Sequence, residues 1–150
     1  MKLSAEGLQL IKQQEGFRSR TYLDVAGFPT IGYGHRLIHP GSFPDGISEA
    51  DAAEILAADV RDAEQAVGRV VGVPLTQGQF DALVDFCFNL GAGRLAKSTL
   101  LKVLNDGRYA DAAEQLLRWD QAGGQECPAL KARRLAELVL WNRASQSAAA

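Results

Sequence analysis

The chain of 150 residues is poor in the groups that most often reveal a function. It has two cysteines and two histidines, and Cys87 and Cys127 stand at no metal-ligand spacing from each other or from His35 and His39. A metal site is therefore not expected. Two free thiols are the expected state, with a Cys87–Cys127 bridge left open because sequence does not set its geometry. No basic run occurs, and 16 Lys and Arg against 18 Asp and Glu give a net charge of -2, so nucleic acid is a poor partner. No stretch approaches the roughly 18 apolar residues of a spanning helix. The opening MKLSAEGLQLIKQQEG is interrupted by Glu6, Lys12 and Glu15 and does not read as a signal peptide. Neither membrane insertion nor an export signal is expected. Repeats and low-complexity blocks are missing too. What is present, 47% hydrophobic and 23% charged residues, describes a globular chain.

Local signals divide it. Ser4 is placed to cap a first helix with Leu8 and Ile11 on its apolar side, and Gly16 to end it. Residues 17–35 change character, with Tyr22, Phe28, Ile31 and Tyr33 among Gly27, Gly32 and Gly34, and predict short antiparallel strands. Residues 36–47, with Pro40, Gly41, Pro44 and Gly46, read as a loop. Ser48 opens a second helix whose apolar positions Ala53, Leu56, Val60, Ala63 and Val67 keep a helical period to about Val71. From Thr76 onward every signal is helical. Thr76 and Gln79 form a capping-box pattern, Ser98 heads STLLKVLNDG with Gly107 as its stop, Tyr109 to Trp119 forms another pattern, and a last helix starts near Ala129. SQSAAA is expected to fray.

The stretch EGFRSRTYLDVAGFPTIGYGH, Glu15 to His35, places two carboxylates around a turn. Glu15 falls at a helix C-terminus, where the dipole disfavours negative charge, and Ile11 and Phe17 add desolvation. Both effects favour a protonated group able to give a proton. Asp24, in a wetter turn, is expected to stay ionised. Opposed environments of this kind are what glycoside hydrolysis requires of its acid and its base. Spacing alone does not separate this pair from chance.

The same stretch resembles the active-site signature of phage-type lysozymes, the endolysin muramidases of glycoside hydrolase family 24. The resemblance continues through QFDALVDFCFNLG (Gln79 to Gly91), STLLKVLNDG (Ser98 to Gly107), WDQAGG (Trp119 to Gly124), and Arg133, Arg134, Glu137 and Leu140. It implies an α+β, lysozyme-like fold over 1–150. A small lobe of about residues 15–60 would carry a short antiparallel sheet, and a long helix would connect it to a helical lobe of residues 1–14 and 72–150. Peptidoglycan would lie in the cleft between lobes. Glu15 would protonate the glycosidic oxygen of the β-1,4 bond between N-acetylmuramic acid and N-acetylglucosamine. Asp24 would stabilise the oxocarbenium-like state or act as base toward water, and Thr30 would hold that water. The inverting course taken for the family expects the two carboxyls about 6.5–9.5 Å apart. Asn89, Tyr33 and Trp119 are candidate sugar contacts, although Trp119 equally suits a core position.

The resemblance carries further expectations. No metal and no cofactor is implied, since carboxylates and water suffice. A monomer would accumulate in the host cytoplasm and depend on a holin to reach the wall. A late cation can pair with the catalytic glutamate, and Lys131, Arg133 and Arg134 are the candidates. Arg133 or Arg134 equally suits a buried ion pair to the N-terminal helix. Arg18 and Arg20 read as solvated edge charges, and His35 as a structural histidine. Two other classes compete: a lytic transglycosylase, which would not need Asp24 and Thr30, and a glycan-binding module, which would not need its catalytic positions filled.

Overall fold

A computed structural model describes residues 1–143; the SQSAAA tail lies outside the described residues. The chain divides into two compact units, Ile11–Asp62 and Met1–Leu10 with the chain from Ala63 onward. Both boundaries fall inside helices, α1 (Ala5–Glu15) and α2 (Glu49–Val70).

In the unit of residues 11–62, three strands form one antiparallel sheet in the order β1 (Arg18–Leu23), β2 (Pro29–Gly32), β3 (His35–Arg36). Thr30 on the middle strand faces Tyr22 on β1 and Arg36 on β3, so these three side chains share one sheet face. Ile31 alternates to the other face and is fully buried, as are Ile11 of α1 and Leu56 of α2. Ser48 caps α2 by accepting the Asp51 N–H at 3.1 Å, and Glu49 and Asp51 complement the helix dipole. At 22 residues α2 is about 33 Å long. The loop matches its Pro- and Gly-rich composition but begins at residue 37, because Arg36 belongs to β3.

The other unit is mainly helical: α3 (Gln77–Leu90), α4 (Ala92–Lys97), α5 (Thr99–Asn105), α6 (Tyr109–Leu116) and α7 (Pro128–Trp141), with β4 (Gln121–Ala122) and β5 (Gln125–Glu126). The capping box at Thr76 and Gln79 is formed in both directions, at 3.1 and 2.9 Å. Its helix α3 is the hub, with Phe80, Leu83, Val84 and Phe86 buried. Ser4 accepts the Gly7 N–H and gives its hydroxyl to Asp81 of α3, whose carboxylate also takes the Ser4 N–H at 3.0 Å. The start of α1 is thus pinned to α3 by a carboxylate that is 1% exposed.

One hairpin departs from the all-helical expectation after Thr76. QAGGQE is a β-hairpin, with Gly123 and Gly124 at φ 60° and 80°, the left-handed pair that a two-residue primed turn demands. The six-residue α4 separates α3 from α5 and has no side-chain cap at Gly91. Among the described residues no helix is long and apolar enough to cross a membrane, and Cys87 and Cys127 are both free.

Candidate active site

Glu15 is the last residue of α1, and the helix stops there because Gly16, at φ 70°, turns the chain while its N–H still bonds Lys12 O at 2.9 Å. The half-buried Glu15 carboxyl rests against the backbone of Gly34. A Cβ at Gly34 would lie 3.4 Å from Glu15 Cδ and 3.5 Å from both carboxyl oxygens. Gly34 also has φ 71°. Glycine at this position therefore admits the turn into β3, while the carboxyl sits at ordinary contact distance from where a Cβ would be.

Asp24 sits at the mouth of the β1–β2 hairpin. Its N–H bonds Phe28 O, and Gly27 N–H bonds its own carbonyl, closing a tight turn. The carboxylate Oδ1 accepts two backbone N–H groups, from Ala26 and from Phe28, each at 2.9 Å. Oδ2 faces the Arg36 guanidinium, with Nε at 3.5 Å. The Asp24 carboxyl is held below its ordinary value, mainly by the Phe28 N–H. Partial burial opposes this, while the Ala26 N–H, the Arg36 charge and the Gly27 N–H reinforce it.

Thr30 is 2% exposed and donates its hydroxyl to Phe28 O at 2.9 Å. The donor is committed and the oxygen lone pairs remain to accept. Phe28 thus joins the two groups: its N–H binds the Asp24 side chain, and its carbonyl takes the Asp24 N–H and the Thr30 hydroxyl.

Tyr33, 8% exposed, gives its hydroxyl to Glu49 at 2.7 Å, and its ring meets Phe17 at 5.6 Å between centroids. That hydrogen bond raises the phenol above its ordinary value and lowers Glu49, which Lys12 also approaches at 3.6 Å. His35 Nδ1 lies 2.7 Å from Asp59 Oδ2, the partner that a structural histidine requires. Arg18 is an exposed charge on the edge strand β1, and its guanidinium lies 4.6 Å from the centroid of the Tyr22 ring.

Asn89 and Trp119 lie in the helical unit. Asn89 Oδ1 accepts from Arg134 at 2.8 Å, which leaves its amide N–H groups to donate. Trp119 packs edge-on against Phe86 at 5.3 Å and 86°. Lys131 pairs with Glu126 at 3.1 Å, and Arg133 binds Asp85 through two bonds of 3.0 and 2.7 Å, which ties α7 to α3. Arg134 and Glu137 are fully buried and approach to 2.6 Å as an ion pair. Both Glu137 oxygens and Arg134 Nε have no hydrogen-bond partner among the described residues. Burial, helped by the charge of Asp85, pushes Glu137 well above its ordinary value, against the pull of Arg134 and Arg133. Burial likewise lowers Arg134, against the charges of Glu137 and Asp85.

Arg36, Phe28, Glu49 and Asp59 are not legible as site residues in the sequence. The alternation of β2 and β3 is visible there, but the pairing of Thr30 with Arg36 depends on the three residues that turn between Ile31 and His35.

Known proteins resemble this chain in sequence and in fold. The family described as phage lysozyme matches residues 12–137. The endolysin of Bacillus phage B103 is 41% identical over 94% of this chain, which spans about half of that protein, 54%. The endolysin of Acyrthosiphon pisum secondary endosymbiont phage 1 is 38% identical over 96% of this chain and 100% of its own length. Among solved structures, an endolysin from Escherichia coli O157:H7 phage FAHEc1 superposes with a TM-score of 0.86 at 36% identity, covering 95% of this chain and 94% of that one.

Proposed function

The chain belongs to the phage lysozyme family, and from that footing we propose that it is an endolysin muramidase. It hydrolyses the β-1,4 bond between N-acetylmuramic acid and N-acetylglucosamine of peptidoglycan in host lysis. The observation that most supports this reading is that one compact unit holds both carboxyls, one at a helix end and one in a turn. Glu15 ends a helix against Gly34, and Asp24 is kept ionised by backbone N–H groups.

Glu15 gives its proton to the glycosidic oxygen as that bond breaks, and the ionised Asp24 stabilises the positive charge that develops on the sugar. A water that donates one hydrogen to Thr30 Oγ1 keeps its other hydrogen for Asp24 and a lone pair for the anomeric carbon. Bond formation from the face opposite the leaving group inverts the configuration. The water proton passes to Asp24, and exchange with solvent restores Glu15. Asn89, Tyr33 and Trp119 belong to the proposal as sugar contacts, Asn89 through the amide N–H groups that its bond to Arg134 leaves to donate. Reaching the wall through a holin, and acting as a monomer, belong to the same proposal.

Clearing of wall suspensions tests the assignment. Glu15→Gln is expected to fold normally and to lose about 10²- to 10⁴-fold in rate, with the inverted anomer formed first by the wild type in NMR. A variant that clears as fast as wild type would mean that Glu15 is not the acid. A retained or 1,6-anhydro product would overturn the inverting course.

A further inference from the structure

We infer that Arg36 is a positioning residue for the reaction, fixing the Asp24 carboxylate directly and the Thr30 hydroxyl through Phe28. This rests on the roles given to Asp24 and Thr30 above. Arg36 faces Thr30 across the sheet, its guanidinium lies 4.2 Å from the centroid of the Phe28 ring, and its Nε lies 3.5 Å from Asp24 Oδ2. One side chain therefore holds both the carboxylate and the residue that links it to Thr30.

The two oxygens of Asp24 are not equivalent. Oδ1 is occupied by the N–H groups of Ala26 and Phe28. Oδ2 is the oxygen left to face a reacting water, and Arg36 stands beside it at a distance longer than a charge-assisted hydrogen bond. The cation orients Oδ2 and favours its ionised form without occupying its lone pairs. Phe28 is half exposed, at 49%, and hangs from a turn. A guanidinium over its ring limits the motion of the one residue whose N–H and carbonyl serve Asp24 and Thr30 together. Arg36 is the charged side chain that lowers Asp24; the other lowering causes are backbone N–H groups of Phe28, Ala26 and Gly27. Because the Arg36 side chain is 62% exposed, its removal takes little from the core.

The test measures kcat and KM against pH for wild type, Arg36→Gln and Arg36→Lys, with Asp24→Asn as control. Arg36→Gln is expected to lower kcat about two- to fivefold, the scale of an exposed ion pair. KM should stay unchanged, and the acid limb should rise by roughly 0.2–0.7 pH units. Arg36→Lys should restore the acid limb but not the whole of kcat, since it keeps the charge and loses the planar stack. Added salt should narrow the gap between wild type and Arg36→Gln. Wild-type kcat and an unmoved acid limb in Arg36→Gln would overturn the inference. If that variant fails to fold, an acid limb displaced in Arg36→Lys would overturn it instead. Full activity in Asp24→Asn would overturn the catalytic reading itself.

Discussion

At the scale of single residues, the site depends on what Gly34 lacks. Its left-handed backbone disfavours a side chain, although a Cβ there would meet the Glu15 carboxyl only at ordinary contact distance. Gly34→Ala is expected to cost about 1–2 kcal/mol in denaturant melts, from forcing an L-residue to φ 71°. The new methyl would meet the Glu15 carboxyl at 3.4 to 3.5 Å, an ordinary contact, so the acid keeps its place and kcat should fall by less than roughly tenfold. Melts and wall clearing on the same preparation separate stability from activity; a loss of rate well beyond about tenfold would show that the methyl does displace the carboxyl. Asp24 obeys the same local logic with the opposite sign. Its turn supplies N–H donors, so its environment is foreseeable from sequence, whereas the charge beside it comes from another strand.

At the scale of elements, α3 and α7 approach so closely that a Cβ at Gly78 would overlap the carbonyl oxygen of Leu140. Gly78→Ala is expected to destabilise by about 1–3 kcal/mol or more, because backbone rather than a flexible side chain must give way. Urea unfolding measures it, and a loss under about 0.5 kcal/mol would refute so close a packing. The same pair of helices carries the Arg133–Asp85 bonds, between residues 48 apart in the chain. Helix starts at Ser4, Ser48, Thr76 and Ser98 are legible because a cap lies within three residues of the N–H it accepts. The β4–β5 hairpin contradicts the helical expectation although Gly123–Gly124 announces it. Its flanks, Gln121, Ala122, Gln125 and Glu126, are all exposed and lack the alternation by which strands are recognised.

At the scale of the whole molecule, stability should carry the mark of Glu137. Its carboxyl, raised in the folded protein, keeps its proton to higher pH than a glutamate of the unfolded chain, which titrates at about pH 4.3. Its contribution is therefore complete below that pH and is lost as pH rises through the folded value. Glu137→Gln removes the titration, so its thermal midpoint relative to wild type should shift in favour of glutamine between about pH 4 and pH 8. A difference that stays flat across that range would show that the carboxyl is not raised.

The sequence by itself determined the features settled between near neighbours: the capped helices, the short strands of residues 18–36, and the ordered motifs that carry the family resemblance. Tertiary structure alone decided which charge stands beside Asp24, what Glu15 rests on, and which partners Arg133 and Arg134 take. The physical reason is range. Caps and turns are settled by hydrogen bonds across a few residues, whereas Arg36 reaches Asp24 only through sheet register, and Arg133 reaches Asp85 only through the packing of two helices.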